Sequence, residues 1–314
     1  MLSLTEETAL LLYTHMRPAS GDTEYDVVAR NSVEMRLLTG AMLMELLLLG
    51  RVQVRPVSPA GRRLRVILGF LVFLLVAALF LGLPLQAMVS GIRWPVAISP
   101  PAAFVIGTVL PFLVVFAAAW ASGWVLRDKL TIVDDAPTGD GILNDALQQL
   151  AQVGQQAPIR TYIRSFGRHV MPKMRGALIA QLEQKGLVTP PMPGPTIFGM
   201  LDRRQVRREH PEFQAIGERV RRGVLDHTMA DPQAVALLML FAWSSFYRSV
   251  GWQLSAGIYQ FFRPEEYGQV RTYLRMLRRH DPAVAAEVGP DRYEALRAIA
   301  VGVMQVRQED TTRA

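Results

Sequence analysis

Two stretches without a single charged residue, 66–92 and 94–126, constrain this chain more than any other feature. Only Arg93 separates them. A bilayer core is crossed by about 20 consecutive apolar residues in a helix. VILGFLVFLLVAALFLGLPL supplies that in the first stretch, and AAFVIGTVLPFLVVFAAAWASGWVL in the second. Soluble core helices seldom run past about 14 residues without a charge. The expectation is a transmembrane helical hairpin with spans at 66–89 and 102–126. Arg51, Arg55, Arg62, Arg63 and Arg65 precede the first span, and Arg127 and Lys129 follow the second. Basic residues at span ends favour the cytoplasmic side. The chain is thus expected to be an integral membrane protein with both termini cytoplasmic. Trp94, Trp120 and Trp124 fall near the span ends, where indole rings prefer the interface.

The rest of the 314 residues suffices for one good domain. A net charge of +7 attracts anionic surfaces, and an anionic leaflet is the simplest of them for a chain with two spans. The absence of cysteine excludes disulfides, thiolate chemistry and cysteine metal sites. MLSLTEETALLLY carries Glu6 and Glu7 where a signal peptide is positive, so it reads as a helix instead.

Periodicity gives a helix over 2–16 and another over 25–49, with Met35, Leu38, Met42 and Leu46 on one face and Gly50 as the stop. Val52, Gln53 and Val54 alternate as a short strand, and 130–133 reads as a second that could pair with it. The fold class expected is mainly α: a helical-bundle cytoplasmic domain with short β-hairpins, the membrane hairpin being inserted at the first of them. This divides the chain into 1–60, 61–128 and 129–314. DDAPTGD is a polar turn before a helix through Ile142, Leu143, Ala146, Leu147 and Leu150. Residues 173–185 form an amphipathic helix, 187–189 turn extended, and 197–201 read as the returning strand. Asp231-Pro232 opens a helix so apolar that it belongs at a bundle centre, yet too short for a third span. Residues 267–279 make a basic helix and 293–306 the last one.

Five segments in order resemble the Golgi phosphoprotein 3 family: LSLTEETALLLY, GAMLMELLLLGRVQV with Glu45, Gly50 and Arg51, DDAPTGDGILNDAL with Pro137, Thr138, Gly139 and Asp140, MRGALIAQLEQKGLV with Arg175, Lys185 and Gly186, and DPQAVALLMLFAWSS. The resemblance implies a mostly helical fold with a membrane-touching β-hairpin, binding of phosphatidylinositol 4-phosphate, and an adaptor role rather than catalysis. It sets Arg30 at the family's head-group tryptophan, Thr39 and Pro172 at two of its arginines, and keeps a third as Arg175. Arg36, Arg168 and Lys173 lie close enough in sequence to substitute.

The candidate head-group ligands are therefore Arg30, Arg36, Lys173 and Arg175, because guanidinium forks and ammonium groups hold phosphate. Their plainer role is a solvated basic face. The run of arginines between 203 and 208 reads as a solvated or leaflet-facing surface. His15, His169, His210, His227 and His280 lack metal-ligand spacing, Ser244-Ser245 lacks a nucleophile elbow, and no Gly-rich phosphate loop occurs. No catalytic residue, metal or cofactor is expected. The function expected is a membrane-anchored adaptor for anionic phospholipid, with cytoplasmic tails of membrane proteins as further partners and no nucleic acid. The alternative is a membrane-tethered nucleic-acid-binding protein with winged-helix-like units.

Overall fold

The computed structural model describes residues 2–15, 24–55, 67, 128–154, 156–190, 205–226, 231–244, 257–279 and 281–311. The chain divides into two compact units, Met1–Arg55 with Lys129–Ala314, and Pro56–Asp128. The first unit is mainly helical and carries all the elements below.

Helix α1 (Leu4–His15) starts in a reciprocal cap. The Glu6 N–H donates to Ser3 Oγ at 3.1 Å, and the Ser3 N–H donates to Glu6 Oε2 at 3.0 Å. Helix α2 (Glu24–Leu48) packs along α1 and buries Leu38, Met42 and Leu46, with Met35 at the edge of the core. It ends where Gly50 takes φ 72°, and the Arg51 N–H returns to the Leu46 carbonyl at 2.9 Å. That positive φ is what glycine allows at no steric cost.

The chain then enters β1 (Val52–Arg55), which pairs antiparallel with β2 (Lys129–Ile132), Val52 opposite Ile132 and Arg55 opposite Lys129. The two short strands read in the sequence do pair. A third strand, β3 (Gln156–Pro158), joins β2 on its other side. Between them Asp140 caps α3 (Gly141–Val153), accepting from the Ile142 N–H at 2.7 Å. Helices α4 (Ile159–His169) and α5 (Met171–Gln184) follow, then α6 (Pro211–Leu225) and α7 (Pro232–Ser244). A 3-10 turn at Pro264–Glu266 leads into α8 (Tyr267–Arg279), α9 (Pro282–Val288) and α10 (Pro290–Thr311).

The core gathers around α2 and α7, with α4, α8 and α10 packed on them. Helix α7 is buried on every side from Ala234 to Ala242, as a bundle centre must be. At Gly40 a Cβ would stand 2.6 Å from Val303 Cγ2, so the bare backbone of α2 is what lets α10 come this close.

Two expectations are corrected here. No helix among the described residues is long and apolar enough to cross a membrane. Helix α2 has the length but is broken by Arg30, Glu34, Arg36 and Glu45, and α10 by Asp291, Arg292, Glu294 and Arg297. The apolar α7 has only 13 residues, about 20 Å at 1.5 Å per residue against a hydrocarbon core of about 30 Å. The expected spans, 66–89 and 102–126, lie outside the described residues. The transmembrane hairpin, and with it the integral membrane protein with two cytoplasmic termini, is therefore unsupported by this structure. The second correction concerns the strand opposite 187–189. Val188 bridges Val206, the Thr189 N–H donates to the Gln205 carbonyl at 2.8 Å, and the Arg207 N–H to that of Leu187 at 2.9 Å. The returning segment is thus 205–207, whereas 197–201 lies outside the described residues.

Candidate functional site

The four basic residues singled out in the sequence fall on two helices that pack together, α2 and α5. They do not form one cluster of like kind. Arg175 sits one turn into α5 and is half-buried; its Nε donates to Glu34 Oε1 on α2 at 2.7 Å. The guanidinium also lies over the Tyr13 ring, 5.6 Å from its centre, so α1, α2 and α5 meet on this one side chain. Its charge is largely answered by a buried carboxylate. Arg36, at the middle of α2, is itself buried, at 9 % exposure. Lys173 is exposed at the first turn of α5. Arg30 lies on α2, and its side chain, like those of Arg168 and Pro172, is outside the described residues.

Thr39, the other position set by the resemblance, is closed to solvent, its hydroxyl donating to the Met35 carbonyl at 2.7 Å. A head-group ligand cannot act from there. Among the candidates whose side chains are described, Lys173 is the exposed cation, while Arg175 is held against α2 by Glu34.

The charged residues that tie α1 to its neighbours are acids: Glu6 and Glu7, which the sequence marked only at a helix start, and Glu45, which it marked only through the resemblance. Glu6 and Glu7 on α1 are both below the surface. Glu6 accepts from Lys185 Nζ, just past the end of α5, at 2.6 and 2.8 Å. Glu7 accepts from Arg219 on α6, whose Nε also lies 3.1 Å from Asp231 at the start of α7. Glu45 on α2 accepts from the Thr5 N–H at 3.1 Å and the Thr5 hydroxyl at 2.6 Å. Burial pushes the Glu7 carboxyl up to about 7, against the pull of Arg219 beside it. Burial likewise raises Glu45, against its bonds to Thr5. These pairings join α1 to α2, α5, α6 and α7. The sequence signal was available only as acids inside an otherwise apolar helix start.

The PTGD turn is occupied by its own bonds. Arg51 pairs with Asp134 and reaches the Pro137 carbonyl at 3.4 Å. The Thr138 N–H and hydroxyl donate to Asn144 Oδ1 at 2.7 and 2.9 Å. With Asp140 spent on the cap of α3, the turn works as a clasp between the sheet and that helix. His210 has a local duty too, its Nδ1 accepting from the Glu212 N–H at the start of α6. Among the described residues no group of three or more His, Asp or Glu is placed to hold a metal ion.

No curated protein matches this chain. The family model described as Golgi phosphoprotein 3 (GPP34) matches residues 115–286, more than half of the chain. The matched region contains the PTGD turn with α3, the α5 segment around Arg175, Lys185 and Gly186, and α7; α1, α2 and β1 precede it. A mostly helical body with a clasped PTGD turn, and a match of that extent, leave one conclusion: the chain belongs to the Golgi phosphoprotein 3 family.

Proposed function

We propose that this protein is an adaptor that docks peripherally on anionic phospholipid head groups, phosphatidylinositol 4-phosphate among them, rather than an enzyme. Family membership carries the reading. The geometry supports it in one place, the first turn of α5. Lys173 is exposed there, and Arg175 follows half a turn later. Arg36 is too deeply set, and Thr39 too fully buried, to share the work.

The test is flotation of the full chain on vesicles of phosphatidylcholine alone or doped with phosphatidylinositol 4-phosphate. Selective flotation on the doped vesicles is expected. Lys173→Glu should weaken it severalfold, at about 1 kcal/mol per charge near the surface, and Glu34→Gln should strengthen it by releasing Arg175. Equal flotation on both vesicle types overturns the reading.

A second reading, nucleic-acid binding, has one observation in its favour. Helix α5 runs into the 187–189 and 205–207 pairing with Arg207 and Arg208 exposed beside it, a helix-plus-hairpin unit with a basic edge. Duplex DNA that competes the chain off doped vesicles at physiological salt would move the assignment there.

A further inference from the structure

Helix α8 carries a row of like charges that no acid among the described residues answers. Its inner face is fixed: Val270, Tyr273, Leu274 and Leu277 are buried against the core. Its outer face carries Arg271, Arg275 and Arg279, all exposed, at successive i, i+4 positions. The helix contains no acidic residue. Like charges at this spacing repel and weaken a helix, and solvated helices ordinarily alternate the sign of their charge. Several cations elsewhere are matched: Arg51 with Asp134, Arg175 with Glu34, Lys185 with Glu6, Arg219 with Glu7, Arg221 with Glu266 and Arg297 with Glu294. None of the three α8 arginines has an ion-pair partner among the described residues. Arg278 stands outside the row, its Nε turned back to the Leu274 carbonyl at 3.1 Å.

We propose that the row Arg271, Arg275 and Arg279 on α8 is a docking surface for an extended acidic segment of a partner protein. Three observations favour that occupant. The first is spacing: four residues of helix advance about 6 Å, close to the roughly 6.7 Å between alternate residues of an extended chain. Carboxylates on every second residue of such a chain can meet the row one for one. The second is chemistry: guanidinium is the side chain suited to two-toothed pairing with carboxylate. Gly268 and Thr272 lie exposed alongside, and nothing stands within 4 Å of where a Gly268 Cβ would be, so a strand has room to lie beside the arginines. The third is position: α5 packs on α2, α2 on α7, and α7 on α8. The row is thus held two helices away from Lys173, as suits an adaptor with one surface for lipid and another for protein. This third observation rests on the lipid reading of Lys173, whereas the spacing and the chemistry are those of α8 alone.

The experiment is fluorescence anisotropy of the full chain with a labelled peptide bearing glutamate at alternate positions, against the same peptide with glutamine. Weak, salt-sensitive binding of the glutamate peptide is expected, because exposed pairs are screened. R271E/R275E/R279E should lose it by about tenfold or more, as the summed effect of three exposed pairs, and R271Q/R275Q/R279Q by a smaller factor. Arg208→Gln, an equally exposed arginine elsewhere, should leave it unchanged. Circular dichroism establishes that each variant is folded. Equal binding of both peptides overturns the proposal, as does undiminished binding by both folded triple variants. A glutamine triple variant that keeps the peptide but no longer floats on anionic vesicles would assign the row to lipid and overturn it equally.

Discussion

On α1, Glu6 and Glu7 lie beneath the surface, and each is met by a cation from a distant part of the chain, Lys185 and Arg219. On α8, Arg271, Arg275 and Arg279 are exposed, with no such partner among the described residues. The difference follows from solvation. A buried ion that loses its partner costs several kcal/mol, so a fold cannot keep one unmatched. An exposed ion loses almost nothing by standing alone, so a fold can display a row of them. Charge inside this molecule therefore speaks of assembly, and unmatched charge outside it speaks of partners.

The comparison breaks most directly at Arg219. Arg219→Met should cost about 3–5 kcal/mol, because Glu7 is left buried without its cation. Urea unfolding at pH 8 measures it, and adding Glu7→Gln should restore much of the loss. A cost below about 1 kcal/mol would mean that the α1 acids are as free as the α8 arginines.

The next effect is a pH dependence. Glu7 is raised from 4.5 to about 7 in the folded chain. Below its unfolded value both states hold the proton, and nothing changes. As pH rises from about 4.5 to about 7 the unfolded state gives up its proton first, so stability falls across that window and levels off above it. The full loss is about 3 kcal/mol at 1.36 kcal/mol per unit. Glu45, raised by the same cause, works in the same direction. Glu7→Gln should flatten most of the slope; an unchanged slope would show that Glu7 is not its source.

These two regions also show what a reader of the sequence could and could not see. The faces of α2 and α7, the Gly50 stop, the β1–β2 pairing and the extent of α8 rest on local periodicity, caps and glycine, and were legible. The partners of Glu6 and Glu7 were not, because Lys185 and Arg219 lie 179 and 212 residues away. The same distance problem hid the site. Arg175 looked like a free phosphate ligand because Glu34, 141 residues earlier, carries no local mark as its partner. Arg36 looked accessible because one arginine in a helical pattern does not say which way it faces. The membrane expectation leaned on apolar run length at 66–126, and run length is not evidence about the helices that the structure does describe.

A smaller test separates graded burial from simple pairing. Lys185 is 42 % exposed while its partner Glu6 is 4 % exposed. Lys185→Met removes the cation but leaves Glu6 its bond from the Ser3 N–H. The expected cost is about 1–3 kcal/mol, below that of Arg219→Met, since Glu6 remains partly satisfied. Equal costs in the two variants, read from urea midpoints at constant slope, would show that the number of remaining bonds does not matter.

The least effect is expected on α8, and its sign is the informative part. Arg271 with Arg275, and Arg275 with Arg279, are like-charge pairs one turn apart. Each costs the helix about 0.2–0.5 kcal/mol at low salt. Burial, with Arg275 adding to it, also pushes the neighbouring Arg278 guanidinium down, so the repulsion reaches beyond the row. R271Q/R275Q/R279Q should therefore raise stability by up to about 1 kcal/mol at low ionic strength, and by nothing measurable at 1 M salt, where the screening length falls to about 3 Å. Thermal unfolding at the two salt concentrations measures both. A variant less stable than the parent at low salt would mean that the arginines serve the fold, as Arg219 does. A variant more stable would mean that the folded chain carries on its surface a like-charge repulsion that salt screens and that an acidic partner would relieve.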